Sequence, residues 1–294
     1  MTQVGLRRRV LGASVRGPVH RRDGLPNQDA VAWSAPDGPG GSLVVAVSDG
    51  HGSRKSFRSA TGAQLAVQAA VEVGRIFVEY TPTADLSQAV VGEMCSLLAD
   101  EIVKRWAASV REHLEATPLS EGELAELERH EGEGAREAVD DDPRLPYGAT
   151  LIVVVVVEAL ALLLQLGDGD ILVVSPPADA RRPLPEDPRL LGNETTSLCM
   201  PGAEGEFRLA AMPLPPDQMT VLLVATDGLG NAYPDEESLL RVGSDLLSKI
   251  RWDGLDCVAE ELEAYLEEAS DHSGDDVTVA IICLDPGCEL ERAL

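Results

Sequence analysis

The chain has 294 residues, 44% of them apolar and only 3% aromatic, so a core is affordable but must be filled mainly by Val, Leu, Ile and Ala. Fifty acidic residues against 24 basic ones give a net charge of −26. A nucleic-acid polyanion would meet a surface of its own sign with few aromatic platforms for its bases, which argues against such a ligand.

In chain order, Arg7-Arg8-Arg9 is followed by a stretch over 10–15 broken by Gly12 and Ser14, which lacks the apolar core of a signal segment. Residues 42–48 (SLVVAVS), bounded by Gly-Pro-Gly-Gly and Asp-Gly, predict a buried strand. Helical spacing of Ala, Val, Leu and Ile over 58–79 and 84–110 predicts two long helices covering one face of a sheet. Residues 111–142 hold twelve acidic and three basic residues, and Gly122, Gly132 and Gly134 weaken a continuous helix there. That segment reads as a solvated acidic insertion.

The runs 151–157 and 160–166, separated only by Glu158 and Ala159, predict a hairpin with both faces covered. A third strand is expected over 170–175 after Gly167-Asp168-Gly169, and five prolines make 176–188 a loop. Then come a strand over 221–226, amphipathic helices over 236–249 and 256–268, and a last strand over 277–284. This order suggests sheets sandwiched by helices.

The five cysteines (Cys95, Cys199, Cys257, Cys283, Cys288) are widely spaced, so neither a disulfide framework nor a zinc site is indicated. The longest apolar run, 151–166, is interrupted by Glu158 and is shorter than the roughly 20 residues of a membrane span. A soluble cytoplasmic protein with no membrane partner is expected.

Six Asp-Gly pairs begin at Asp23, Asp37, Asp49, Asp168, Asp227 and Asp253, and most such pairs simply turn the chain. Asp49 and Asp227 differ because each follows directly on a wholly apolar strand. Asp275 and Asp276 instead stand just before one. If that last strand runs antiparallel to the others, all these carboxylates reach one edge. Converging carboxylates repel one another unless a divalent cation neutralises them, and an oxygen-only set favours Mg²⁺ or Mn²⁺ over zinc or copper.

Six motifs in order carry a resemblance: Asn27-Gln28-Asp29, Asp49-Gly50-His51-Gly52, Gly148-Ala149-Thr150, Gly167-Asp168-Gly169-Asp170, Ala225-Thr226-Asp227-Gly228 and Asp275-Asp276-Val277-Thr278. Together they resemble the series of the metal-dependent type-2C protein phosphatases over about 20–285, and Gly24-Leu25-Pro26-Asn27-Gln28-Asp29 looks like a bacterial branch. The resemblance implies an α+β fold, a four-layer αββα sandwich with two mainly antiparallel sheets between helix pairs. It also implies a single domain over 1–294 with 111–142 inserted in it.

The same resemblance implies hydrolysis of phosphoserine and phosphothreonine in proteins by a hydroxide bridging two Mn²⁺ or Mg²⁺ ions, attacking phosphorus in line. Asp49 would bridge the ions, the Gly50 carbonyl would bind one, Asp227 and Asp275 would ligate the other, and Asp29 would act through water. His51 matches the general acid that protonates the leaving oxygen. A phosphoprotein substrate and a Ser/Thr kinase acting on the same targets are the implied partners. The charge of the chain would favour basic residues beside the phosphate.

Departures from the pattern are specific. Gln28 stands where an acid is common, and Gly24 where many members place a phosphate-binding Arg, leaving His20, Arg21 and Arg22 as candidates for that contact. Asp276 replaces a common Asn and adds a charge. Asp141 or Asp142 are the candidates for a third ion, and Asp168 is assigned a structural role. A phosphatase-fold signalling or scaffold module with weak catalysis is the alternative function. A two-metal nuclease uses the same chemistry, but the charge of the chain makes its substrate unattractive.

Overall fold

A computed structural model describes residues 6–34, 41–80, 88–189 and 195–286. Asp37-Gly38, Cys288 and the predicted helix start at 84–87 lie outside them. In chain order the elements are β1 (Arg7–Val15), α1 (Pro18–Asp23), β2 (Ala30–Ser34), β3 (Leu43–Ser48), α2 (Ser59–Tyr80), α3 (Gln88–Ala116), α4 (Glu121–Glu131) and α5 (Glu133–Asp141). They continue with β4 (Leu151–Val157), β5 (Leu160–Leu166), β6 (Asp170–Ser175), β7 (Asp179–Arg181), β8 (Arg208–Pro213), β9 (Thr220–Ala225), α6 (Asp227–Gly230), α7 (Glu236–Asp253), α8 (Leu255–Ser273) and β10 (Val277–Asp285).

Strand β4 shows why the layers form. Its side chains alternate between faces, and every one of its residues is buried. Leu151, Val153 and Val155 pack in one apolar cluster with Ala66, Val67 and Ala70 of α2 and Ile102 and Trp106 of α3. Ile152, Val154 and Val156 enter a second cluster with Leu222 and Val224 of β9 and Ala280 and Ile282 of β10. The opposite faces of β9 and β10 (Leu223, Val279, Ile281) pack against Leu247 of α7 and Leu266 of α8.

The result is two five-stranded antiparallel sheets, ordered β1-β10-β9-β6-β7 and β2-β3-β4-β5-β8, with one helix pair outside each. It is the expected αββα sandwich. Glu158 and Ala159 form the two-residue β4–β5 turn, with Glu158 at φ 48°. Among the described residues no helix is long and apolar enough to cross a membrane.

One reading needs correction, and the structure adds detail at two other places. Within the proline-rich stretch, Asp179–Arg181 pairs with β6, so it is a hairpin arm and not wholly loop. Residues 111–142 are mostly helical: α3 runs on to Ala116, the Ser120–Glu123 capping box starts α4, and only Gly132, at φ 89°, breaks the chain into α5. Gly122 and Gly134 sit in first turns, where their low propensity costs little. Strands β1, β2 and β8 carry no strong apolar alternation and take their form from their neighbours.

Candidate metal centre

Antiparallel pairing delivers the acids as strand ends. Ala225 of β9 is opposite Val279 of β10 and Asp170 of β6, so Asp227, Asp275 and Asp168 all emerge at one edge of that sheet. In the other sheet Ala30 faces Ser48, which places Asp29 beside Asp49 at the corresponding end. Carboxylate oxygens of Asp49, Asp168 and Asp227 come within 4.8 Å of one another, and a second group joins His20, Asp275 and Asp276 at the same spacing. Thr226 Oγ1 donates to Asp29 Oδ2 at 2.7 Å, and Asn231 Nδ2 donates to Asp227 Oδ2 at 3.0 Å.

The loop after β3 is held by the segment before β4. Asp49 N donates to Thr150 Oγ1 (3.1 Å), Thr150 N to Asp49 O (2.8 Å), and His51 N to Gly148 O (3.1 Å). Gly50 N donates to Gln28 O, and a Cβ on Gly50 would stand 2.7 Å from that oxygen and 2.8 Å from the Ser59 backbone. Backbone on both sides cannot yield as a side chain would. Gly50→Ala is therefore expected to cost at least about 1–3 kcal/mol, read by urea unfolding of the full chain in chelator so that fold and metal effects stay separate.

Electrostatics single out the same acids. Burial, then the neighbouring Asp29, Asp227, Asp275 and Asp168, hold the Asp49 carboxyl well above the usual carboxylate range. Burial, then Asp168 and Asp275, push Asp227 up to about 6. Burial also takes Asp29 up to about 8, against the opposing hydrogen bond from Thr226 and with repulsion from Asp276 and Asp227. Asp275 is raised chiefly by burial, whereas burial lowers His51, partly offset by Asp168. Acids forced together from separate segments and reluctant to ionise are what a divalent cation relieves, and an all-carboxylate donor set suits a hard ion.

Of the predicted residues, Asp49 and Asp227 share one cluster, while Asp275 lies in the other with His20. Asp168, given only a structural role from sequence, joins Asp49 and Asp227; its place two residues ahead of β6 was the available signal. Asp142 is instead taken up by Arg144 (2.7 and 2.8 Å), and among the described residues neither it nor Asp141 belongs to a cluster. Asp276 is buried and accepts from Gly17 N and Gln28 N, both at 2.6 Å, so its added charge clamps backbone.

His20 Nδ1 lies 2.8 Å from Asp276 Oδ2 without the alignment of a hydrogen bond. Arg21 reaches Asp271 at 3.2 Å and Arg22 reaches Asp23 at 2.9 Å, all on exposed surface. Gln28 Oε1 is buried with no hydrogen-bond partner among the described residues.

At the level of fold the structure is similar to several solved phosphatases. The S. agalactiae serine/threonine phosphatase superposes with a TM-score of 0.56 at 16% identity, covering 94% of this chain and 99% of that one. The catalytic domain of the serine/threonine phosphatase PstP in complex with two manganese ions gives 0.56 at 18%, covering 95% and 99%. The Mycobacterium tuberculosis phosphatase PstP/Ppp gives 0.54 at 17%, with coverages of 95% and 99%. No curated protein matches the chain significantly in sequence. The family model described as protein phosphatase 2C matches residues 16–267, which takes in five of the six motifs and stops short of Asp275. With most of the chain matched and its acids gathered at one sandwich edge, the chain belongs to the protein phosphatase 2C family.

Proposed function

We propose that the chain is a metal-dependent phosphoprotein phosphatase acting on phosphoserine and phosphothreonine. One observation carries this reading: Asp49, Asp168 and Asp227, from three segments and both sheets, bring carboxylate oxygens within 4.8 Å of one another. Asp49, Asp168, Asp227 and Asp275 would hold two Mn²⁺ or Mg²⁺ ions, a third being a further expectation, with Asp29 acting through water and the Gly50 carbonyl as an added donor. Such ions, when bound, neutralise phosphate charge and activate water as a nucleophile.

The side chains supply the rest. Asp49, faced by Asp29, Asp227, Asp275 and Asp168, would be the carboxylate most relieved by a bound cation and would hold it together with them. Gly50 lets the backbone after Asp49 pass between Gln28 and Ser59, and Gly52, with nothing closer than Gln28 Oε1 at 3.9 Å to where a Cβ would stand, leaves room for a phosphate. His51 stands next to the cluster to protonate the leaving oxygen, and a substrate dianion would offset the burial that lowers its pKa. The phosphoprotein, with basic residues flanking its phosphate, would be the counterpart of a Ser/Thr kinase.

A second reading, a phosphatase-fold signalling or scaffold module with weak catalysis, is favoured by one fact. His20, Arg21 and Arg22 each already face a carboxylate: Asp276, Asp271 and Asp23. Purified protein with Mn²⁺ is expected to release phosphate from a phosphothreonine peptide and to stop when chelator is added. Absence of turnover with metal shown bound would refute the enzymatic reading and leave the second.

A further inference from the structure

Arg58 stands just before α2, at the far end of the loop that begins with Asp49, and its side chain is largely buried, 9% exposed. Nε and Nη2 donate to the two oxygens of Glu123 at 2.8 and 2.9 Å. Nη1 donates to Thr117 O and to Tyr147 Oη, both at 2.7 Å, and Nη2 to Pro118 O at 3.0 Å. Its own backbone N donates to Pro146 O at 2.8 Å. Tyr147 Oη also meets His113 Nδ1 at 2.8 Å. One cation thus ties together the end of α3, the first turn of α4 and the residue directly before Gly148.

That last connection reaches the site. Gly148 O accepts from His51 N, Ala149 forms a β-bridge with Gly50, and Thr150 exchanges hydrogen bonds with Asp49. The Asp49–His51 loop is therefore fastened at one end through Tyr147 and at the other through Arg58 itself. Packing leaves no slack: a Cβ on Gly62, one turn into α2, would stand 2.0 Å from Tyr147 O.

We propose that Arg58 is a positioning residue for the Asp49-Gly50-His51 loop and that Glu123, in the acidic 111–142 segment, sets its geometry, making that segment a working part of the catalytic apparatus. This rests on the phosphatase reading for its kinetic consequence, though not for its structural one. A bidentate carboxylate fixes a guanidinium in plane as well as in charge. Removing Glu123 leaves a buried cation that can rotate away from Tyr147. The Ser120–Glu123 capping box by itself would serve α4 equally well without Arg58, so the link that reaches the loop is the bidentate Arg58–Glu123 pair together with the Arg58–Tyr147 bond it keeps in line.

The test compares Glu123→Ala, Glu123→Gln and Ser120→Ala in the full chain. Hydrogen–deuterium exchange is followed in 49–58 and 145–150, with kcat and KM measured on a phosphothreonine peptide. Glu123→Ala is expected to speed exchange in both stretches about tenfold while β4 stays protected, and to lower kcat about tenfold at unchanged KM. Glu123→Gln, which keeps shape and an acceptor, should fall between it and the parent chain, and it serves if the alanine variant does not fold. Ser120→Ala should loosen α4 and leave the loop alone. Faster exchange confined to 117–131, with kcat unmoved, would overturn the proposal. If the parent chain turns over no phosphopeptide the phosphatase reading falls, and the exchange data still decide the clamp.

Discussion

Asp49→Asn is expected to abolish Mn²⁺ uptake and to lower turnover about a thousandfold, yet to make the metal-free protein melt higher than its parent. The first half follows from position: Asp49 ends β3 and meets Asp168 and Asp227 from the opposite sheet, so an amide there removes the charge that links the two sides. The second half follows from sign. Burial and four neighbouring carboxyls raise the Asp49 pKa, which means that its ionised form is the disfavoured one in the folded state. A neutral amide of the same shape relieves that repulsion. Each kcal/mol of relief is worth about 2–4 °C for a chain of this class. Titration calorimetry checks the metal, and scanning calorimetry in chelator checks the stability. A metal-free variant that melts lower than the parent would mean that the Asp49 carboxyl is held by favourable contacts and is not a strained ligand.

What could be read from the sequence divides along a physical line. Strands β3, β4, β5, β6, β9 and β10 were legible because a strand buried on both faces must be apolar throughout, whichever partner covers it. Strand β1 was not: it opens with three arginines and contains Gly12, and its place depends on the full-length ladder with β10 and on the Trp33 ring lying over Gly12. Edge strand β8, half-exposed and ending in Pro213, has little reason to show alternation. The acids of the site follow the same division. Asp49, Asp227 and Asp275 could be expected at one edge because strand ends fix them. Asp276 clamping Gly17 and Gln28, and Arg58 linking Glu123 to Tyr147, depend on residues far apart in the chain, and no local pattern marks them.

The crowding of acids also sets how the protein responds to pH. In the folded state Asp227 is raised to about 6 and Asp29 to about 8, with Asp49 and Asp275 raised as well. Unfolded, each returns to roughly 3.9. Between those values the folded chain holds more protons than the unfolded one, so the contribution of these groups is fully present below about pH 4 and is lost as pH rises through 6 and 8. The slope is at most about 1.4 kcal/mol per pH unit for each group. Acids with lowered pKa act in a separate window: Glu123, held near 2 chiefly by Arg58, and Asp187, held near 2 chiefly by Arg189, lose their contribution only as pH falls below about 4. Metal-free protein is therefore expected to melt highest near pH 4–5 and progressively lower toward pH 8. Excess Mn²⁺ should flatten or reverse that slope, since cation and proton compete for the same oxygens and metal affinity grows with pH. Scanning calorimetry from pH 4.5 to about 8.5, in chelator and in Mn²⁺, separates the two curves. A chelated protein whose melting temperature rises between pH 5 and 8 would show that these carboxyls are not crowded against one another, and the cation site built on them would fail with it.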